Sequence, residues 1–167
     1  ASCALAALPA GAETIRAAVL RVEHETELPL SRLDLPPEDL GIAGARMATQ
    51  DNATTGRFMG IEFEMSEHSV APGEAVAALE EIVASGTHFV VTLADAETTL
   101  ALADAAGDEA VLFNAQAPDT RLRDGDCRAN TFHVGPSRAM LADALAQFLM
   151  VKRWDEWLLV HGSHPGD

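Results

Sequence analysis

The sequence of 167 residues contains no tyrosine, and its eight aromatic residues amount to 5% of the chain. Hydrophobic residues still make up 48%, so a core can form, but Ala, Leu and Val must fill most of it. That composition suits helices packed on a sheet better than an all-β sandwich, which relies on aromatic and β-branched side chains. Cations are scarce as well. Eleven Lys and Arg stand against 26 Asp and Glu, for a net charge of −15. So few cations, dispersed along the chain, argue against sequence-independent nucleic-acid binding and against attraction to an anionic membrane surface. No apolar run reaches the roughly 18 residues of a membrane span. The two cysteines, Cys3 and Cys127, have no metal-ligand spacing and cannot build a disulfide framework. Cys127 is expected to be a buried, inert thiol.

Catalytic signatures are missing too. G-x-S-x-G, the P-loop and G-x-G-x-x-G are all absent, which removes support for an α/β-hydrolase or a nucleotide-binding site. The Glu62/Glu64 and Glu80/Glu81 pairs read as solvated faces rather than as an acid–base couple. The chain is therefore expected to bind, not to catalyse.

What is present is an alternation of two kinds of segment. Residues 1–12 (ASCALAALPAGA) are small and apolar and end in Ala10-Gly11-Ala12, as the end of a signal peptide does before its cleavage point. Next comes an apolar strand, Thr14–Val22, and a polar, Pro-containing loop. Pro36-Pro37-Glu38-Asp39 opens a helix, with Pro in the first turn and acids at the positive end of the dipole, running to about Thr54 with Gly56 as its stop. The strict alternation of Gly60–Ser66 marks a half-exposed or edge strand. Pro72-Gly73-Glu74 opens the next helix, which Gly86 ends. His88–Leu93 and Ala110–Asn114 are short continuous apolar runs, as expected of central parallel strands covered on both sides. Between them lies a helix capped by Asp95 and ended at Gly107. Thr131–Val134 is a further strand, Ser137 caps the helix Arg138–Trp154, and Trp157–Val160 is expected to be a last strand. Strand–helix alternation with short links implies a mostly parallel sheet, right-handed crossovers and a Rossmann-like three-layer α/β/α architecture. A final strand without a covering helix suggests that residues 138–167 open a second α/β unit after a first lobe over 13–137.

In such sheets ligands bind beyond the carboxyl ends of the strands, near the reversal of strand order. Candidate contacts are therefore Thr92, Ala94 and Asp95 after the third strand, where backbone N–H groups at a helix start can meet a carboxylate. Asn114, Ala115 and Gln116 after the fourth strand are the other set. Asp95 also suffices as a plain helix cap, and the Asn114 amide suits loop hydrogen bonding equally well. Ser137 reads as a cap first, and His133 as a satisfied histidine in a strand rather than a base. Glu23-His24-Glu25, with Glu27, forms the densest acidic cluster and is the candidate for metal ligation, though it lacks a recognisable ligand spacing. A receiver-type signalling domain is the rival single-domain reading. It needs paired acids after the first strand, where this chain has Val22-Glu23.

Three stretches carry a family resemblance. They are Asp51-Asn52-Ala53-Thr54-Thr55-Gly56-Arg57, the run from Cys127-Arg128-Ala129-Asn130 through His133-Val134-Gly135-Pro136-Ser137-Arg138 to Leu145, and Lys152-Arg153-Trp154 on to His161-Gly162-Ser163-His164. Together they resemble the periplasmic substrate-binding proteins that accompany pyrroloquinoline-quinone-dependent alcohol dehydrogenase systems, which are similar to the branched-chain amino acid-binding proteins of ABC transporters. The resemblance implies two Rossmann-like lobes with a ligand closed between them, a periplasmic location, and an ABC permease or a periplasmic quinoprotein dehydrogenase as partner. It places first-lobe contacts at Thr92, Ala94, Asp95, Asn114, Ala115 and Gln116. Asn114-Ala115-Gln116 is bulkier and more polar than the small pocket of the amino acid binders. That departure puts an amino acid in doubt and leaves room for something larger and flatter. The association with quinoprotein systems that the resemblance carries implies pyrroloquinoline quinone, a planar tricarboxylate, as the candidate ligand, with Arg21, Arg57, Arg128 and Arg138 as available cations. A non-transport accessory or sensor module for a quinoprotein dehydrogenase, and an acidic metal-binding protein, are the alternatives.

Overall fold

The structure, a computed structural model, describes residues 13–23, 35 and 37–160. The apolar start at 1–12, His24, Glu25, Glu27 and residues 161–167 lie outside the described residues. Among the described residues there are five strands and four α-helices, which alternate up to β4: β1 (Glu13–Val22), α1 (Ile42–Met59), β2 (Ile61–Val70), α2 (Ala75–Ala84), β3 (Phe89–Leu93), α3 (Ala96–Ala106), β4 (Val111–Asn114), β5 (Thr131–His133) and α4 (Arg138–Lys152). All four pairings are parallel and the sheet order is β2-β1-β3-β4-β5. The alternating strand is indeed an edge, and the two continuous apolar runs are central.

Two side-chain sets of opposite parity divide the sheet. On one face Ala18, Leu20 and Val22 of β1, Val90 of β3 and Leu112 of β4 pack with Leu79 and Ile82 of α2 and Leu102, Ala103 and Ala106 of α3. This is the main core. Its largest members are leucines and Ile82, and none is aromatic, as the composition requires. On the other face α1 lies over β2 and β1, where Arg46 grips both carboxylate oxygens of Glu67 at 2.6 Å. That ion pair holds Glu67 below the usual carboxylate range, chiefly through the side-chain hydrogen bonds from Arg46. Among the described residues no helix is long and apolar enough to cross a membrane.

Four expectations change. The first helix does not begin at Pro37, and Pro36 lies outside the described residues. Residues 38–41 form a turn and Gly41 adopts φ +80, in the left-handed region that favours glycine, where a Cβ would also press on the Leu93 side chain. Nor does Gly56 stop it. The helix runs on to Met59, and Gly60 closes it at φ 72 in the left-handed region. Gly56 is instead where α1 touches the sheet: a Cβ would stand 2.5 Å from the carbonyl oxygen of Ile61 and 3.0 Å from the Phe63 ring. Trp157–Val160 is not a strand. It has no pairing partner among the described residues, and without one the apolar run stays exposed. Cys127 is exposed, not buried, because it sits in the turn between a short 3-10 segment (Thr120–Arg123) and β5.

The two α1 glycines should respond with opposite signs. Gly44 has nothing within 4 Å of a Cβ, so Gly44→Ala is expected to stabilise by about 0.5 kcal/mol through helix propensity. Gly56→Ala is expected to destabilise, because α1 must lift off β2. Thermal melts of the two variants side by side check this, and a stabilising Gly56→Ala contradicts the packing.

Candidate functional site

After β1 the chain moves outward to β2 and then returns past β1 to β3. The reversal of strand order therefore lies between the carboxyl ends of β1 and β3. In a parallel sheet all the strand ends share that edge, and it gathers the start of α1, the turn from β3 into α3, and the loop after β4.

The β3–α3 turn is built by its cap. Asp95 accepts the backbone N–H of Thr98 at 2.7 Å, and Thr99 Oγ1 donates back to the Asp95 carbonyl. Thr92 and Ala94 are fully buried, and the Thr92 hydroxyl faces the Phe113 carbonyl of β4 at 3.5 Å. Of this set only Asp95 is exposed at the edge.

The loop after β4 is built around one side chain. Asn114, 2% exposed, accepts the backbone N–H groups of Gln116 at 3.1 Å and Ala117 at 2.8 Å on its Oδ1. Its Nδ2 donates to the Ala117 carbonyl at 2.8 Å and to His133 Nδ1 at 3.0 Å. All four bonds stay within the protein, so the amide shapes the loop, and Ala115 and Gln116 are the residues left exposed at the edge. Ala117 then packs with Ala96 and Leu122 in a small second core, while Arg121 reaches Glu97 in the first turn of α3. The loop is thus fastened to the helix whose start lies beside it.

His133 has a partner at each ring nitrogen, since Nε2 also lies 3.2 Å from the Leu122 carbonyl. It is a satisfied strand histidine, as its position suggested. Burial, and then the nearby Arg123 guanidinium, hold it below the ordinary histidine range. Ser137 is buried and caps α4 by accepting the Met140 N–H at 3.2 Å.

The four arginines separate. Arg21, near the end of β1, donates to the Glu38 carbonyl. Arg138 begins α4 at the carboxyl edge, 3.3 Å from Asp119. Arg128 is held by Asp104, and Arg57 lies in the last turn of α1, at the opposite edge. Sequence reasoning missed Arg123, whose Nη2 donates to the Gly135 carbonyl just beyond β5. Nothing in the polar loop around it marks it out; only the packing against β5 does.

A parallel sheet with this edge is shared by many proteins, so relatives decide the family. The sequence pattern of the periplasmic binding proteins matches residues 38–166. The chain belongs to the periplasmic binding protein family. Its fold agrees with solved members. An ABC transporter substrate-binding protein from Desulfitobacterium hafniense is 17% identical with a TM-score of 0.64 over 84% of this chain and 39% of that one. A leucine-, isoleucine-, valine-, threonine- and alanine-binding protein from Brucella ovis, in its closed conformation, is 17% identical with a TM-score of 0.63 over 85% and 37%. A periplasmic binding protein from Burkholderia mallei is 18% identical with a TM-score of 0.57 over 86% and 37%. The chain thus spans less than two fifths of the length of these relatives. No curated protein matches it.

Proposed function

We propose that this family member supplies the first ligand-binding lobe of a periplasmic solute-binding protein, serving an ABC-type uptake system linked to quinoprotein alcohol oxidation. The observation that carries the reading is the sheet edge itself. Beside the reversal of strand order, the start of α3 and the Asn114-organised loop stand together, which is where open α/β sheets bind ligands. On this reading Asp95, Ala115 and Gln116 line the ligand, with Thr92, Ala94 and Asn114 shaping the surface behind them. Residues 138–167 lead into the second lobe, and an ABC permease or a periplasmic quinoprotein dehydrogenase is the partner.

Pyrroloquinoline quinone is the ligand this reading names. Its carboxylates suit the backbone amides at the α3 start, and Arg138 stands on the same edge. The acidity of the chain as a whole sets long-range steering, not contacts inside a cleft. One lobe covers one side of a ligand that such sites otherwise enclose, so the affinity of this chain alone is expected to be weak.

An NMR titration with pyrroloquinoline quinone, and separately with leucine, tests the proposal. The amides of Asp95, Thr98, Ala115 and Gln116 are expected to shift with the quinone and not with leucine. A response to leucine alone removes the quinone, and a response to neither removes the site.

A further inference from the structure

Resting on the reading of residues 114–117 as a ligand-contact loop, we propose that His133 is the positioning residue for that loop, and that protonation of its Nδ1 releases the loop and weakens ligand binding in acid. The hydrogen-bond inventory carries the argument. An amide nitrogen only donates, and Asn114 Nδ2 faces His133 Nδ1 at 3.0 Å. Nδ1 must therefore offer a lone pair. The proton then sits on Nε2, which donates to the Leu122 carbonyl. Asn114 cannot flip to relieve the constraint, because its Oδ1 already holds the N–H groups of Gln116 and Ala117. Only the neutral, Nε2-protonated ring satisfies every partner. A proton on Nδ1 sets two donors against each other at this part-buried contact and leaves the buried Asn114 amide without that partner, and an unmade hydrogen bond there is costly.

The surroundings add no counter-charge. His133 shares a narrow crevice with Leu100 and Ala103 of α3, Leu122, Asp126 and Arg128. Asp126 is engaged by Arg121 and Arg128 by Asp104. Arg123, whose Nη1 is buried without a partner, is left as the charge acting on the ring, and it disfavours an imidazolium. The carboxylate that would welcome one is already paired.

His133→Asn separates positioning from bulk. Asparagine keeps an acceptor on the same branch of Cγ and does not titrate, whereas His133→Ala removes the acceptor. In the ligand-free chain, acidification from neutral pH is expected to move the Gln116 and Ala117 amides in step with the His133 ring resonances, at a midpoint below the ordinary value of about 6.5. In His133→Asn those amides hold their neutral-pH positions throughout. In His133→Ala they are displaced at every pH. Affinity for pyrroloquinoline quinone, measured by fluorescence between about pH 7.5 and 5, falls by up to about tenfold per pH unit below that midpoint in the parent chain and stays flat in His133→Asn. A ring that titrates while the two amides stay still overturns the proposal, as does an unchanged pH response in His133→Asn. If ring and amides titrate together but the quinone shifts neither Ala115 nor Gln116, the positioning role holds and the ligand assignment fails.

Discussion

Replacing Asn114 with alanine is expected to lower the unfolding free energy by about 3 kcal/mol, since buried groups left without partners cost about 1–3 kcal/mol each. The substitution orphans the Ala117 N–H, the Ala117 carbonyl and the His133 Nδ1 together. Urea denaturation measures the loss. Asn114→Asp gives the chemical counterpart. It keeps the oxygen that holds Gln116 and Ala117 but turns Nδ2 into a carboxylate oxygen facing His133. Neutral His133 depends on Asn114 as donor, so in Asn114→Asp the ring pKa is expected to rise. For the parent chain the sign is opposite. Its folded-state pKa lies below the unfolded value of about 6.5, so the unfolded chain takes up the proton first as pH falls. Stability is then fully present above about 6.5 and declines as pH drops toward the folded pKa. A loss from Asn114→Ala below about 1 kcal/mol, within the range of an exposed loop substitution, would show that the amide does not organise the loop.

Leu20→Ala is expected to cost about 3 kcal/mol, within the roughly 2–5 kcal/mol range for emptying a buried leucine site. Leu20 is 0% exposed in the strand next to the edge and packs in the core shared with α2 and α3. The cavity it leaves borders strands on both sides, which limits collapse. For a chain of this length the melting temperature should fall by roughly 10 °C. Leu158→Ala is the control: the same chemical change at a residue 87% exposed is expected to stay within about 0.5 kcal/mol. Equal effects at the two positions would mean that Leu158 is covered or that Leu20 is not core.

These leucines show where local reading reaches its limit. Both lie in short apolar runs bounded by polar residues, and both runs read as strands. The Leu20 run finds β2 on one side and β3 on the other; the Leu158 run finds no partner among the described residues. A strand is a pairing property, and no local pattern encodes the neighbour. Gly56 makes the same point for helices. A glycine late in an apolar-periodic segment resembles a stop, yet this one lets α1 settle against the Ile61 carbonyl. The caps were legible, because Asp95 and Ser137 bond to amides three residues away, and such bonds depend on local spacing alone.

Hydrophobic periodicity, capping residues and the missing catalytic motifs were enough, by themselves, to give an α/β domain with a parallel sheet, an edge at β2, central β3 and β4, and a carboxyl edge as the place to look. All of these follow from contacts within a few residues or from side-chain alternation. The tertiary structure alone decided which candidates face outward. It buried Thr92, Ala94 and Asn114, exposed Asp95, Ala115 and Gln116, sent Arg57 to the far edge, and brought His133 against Asn114 across 19 positions of sequence. Those outcomes depend on strand register and helix placement, which join residues far apart in the chain, and so no local pattern could contain them.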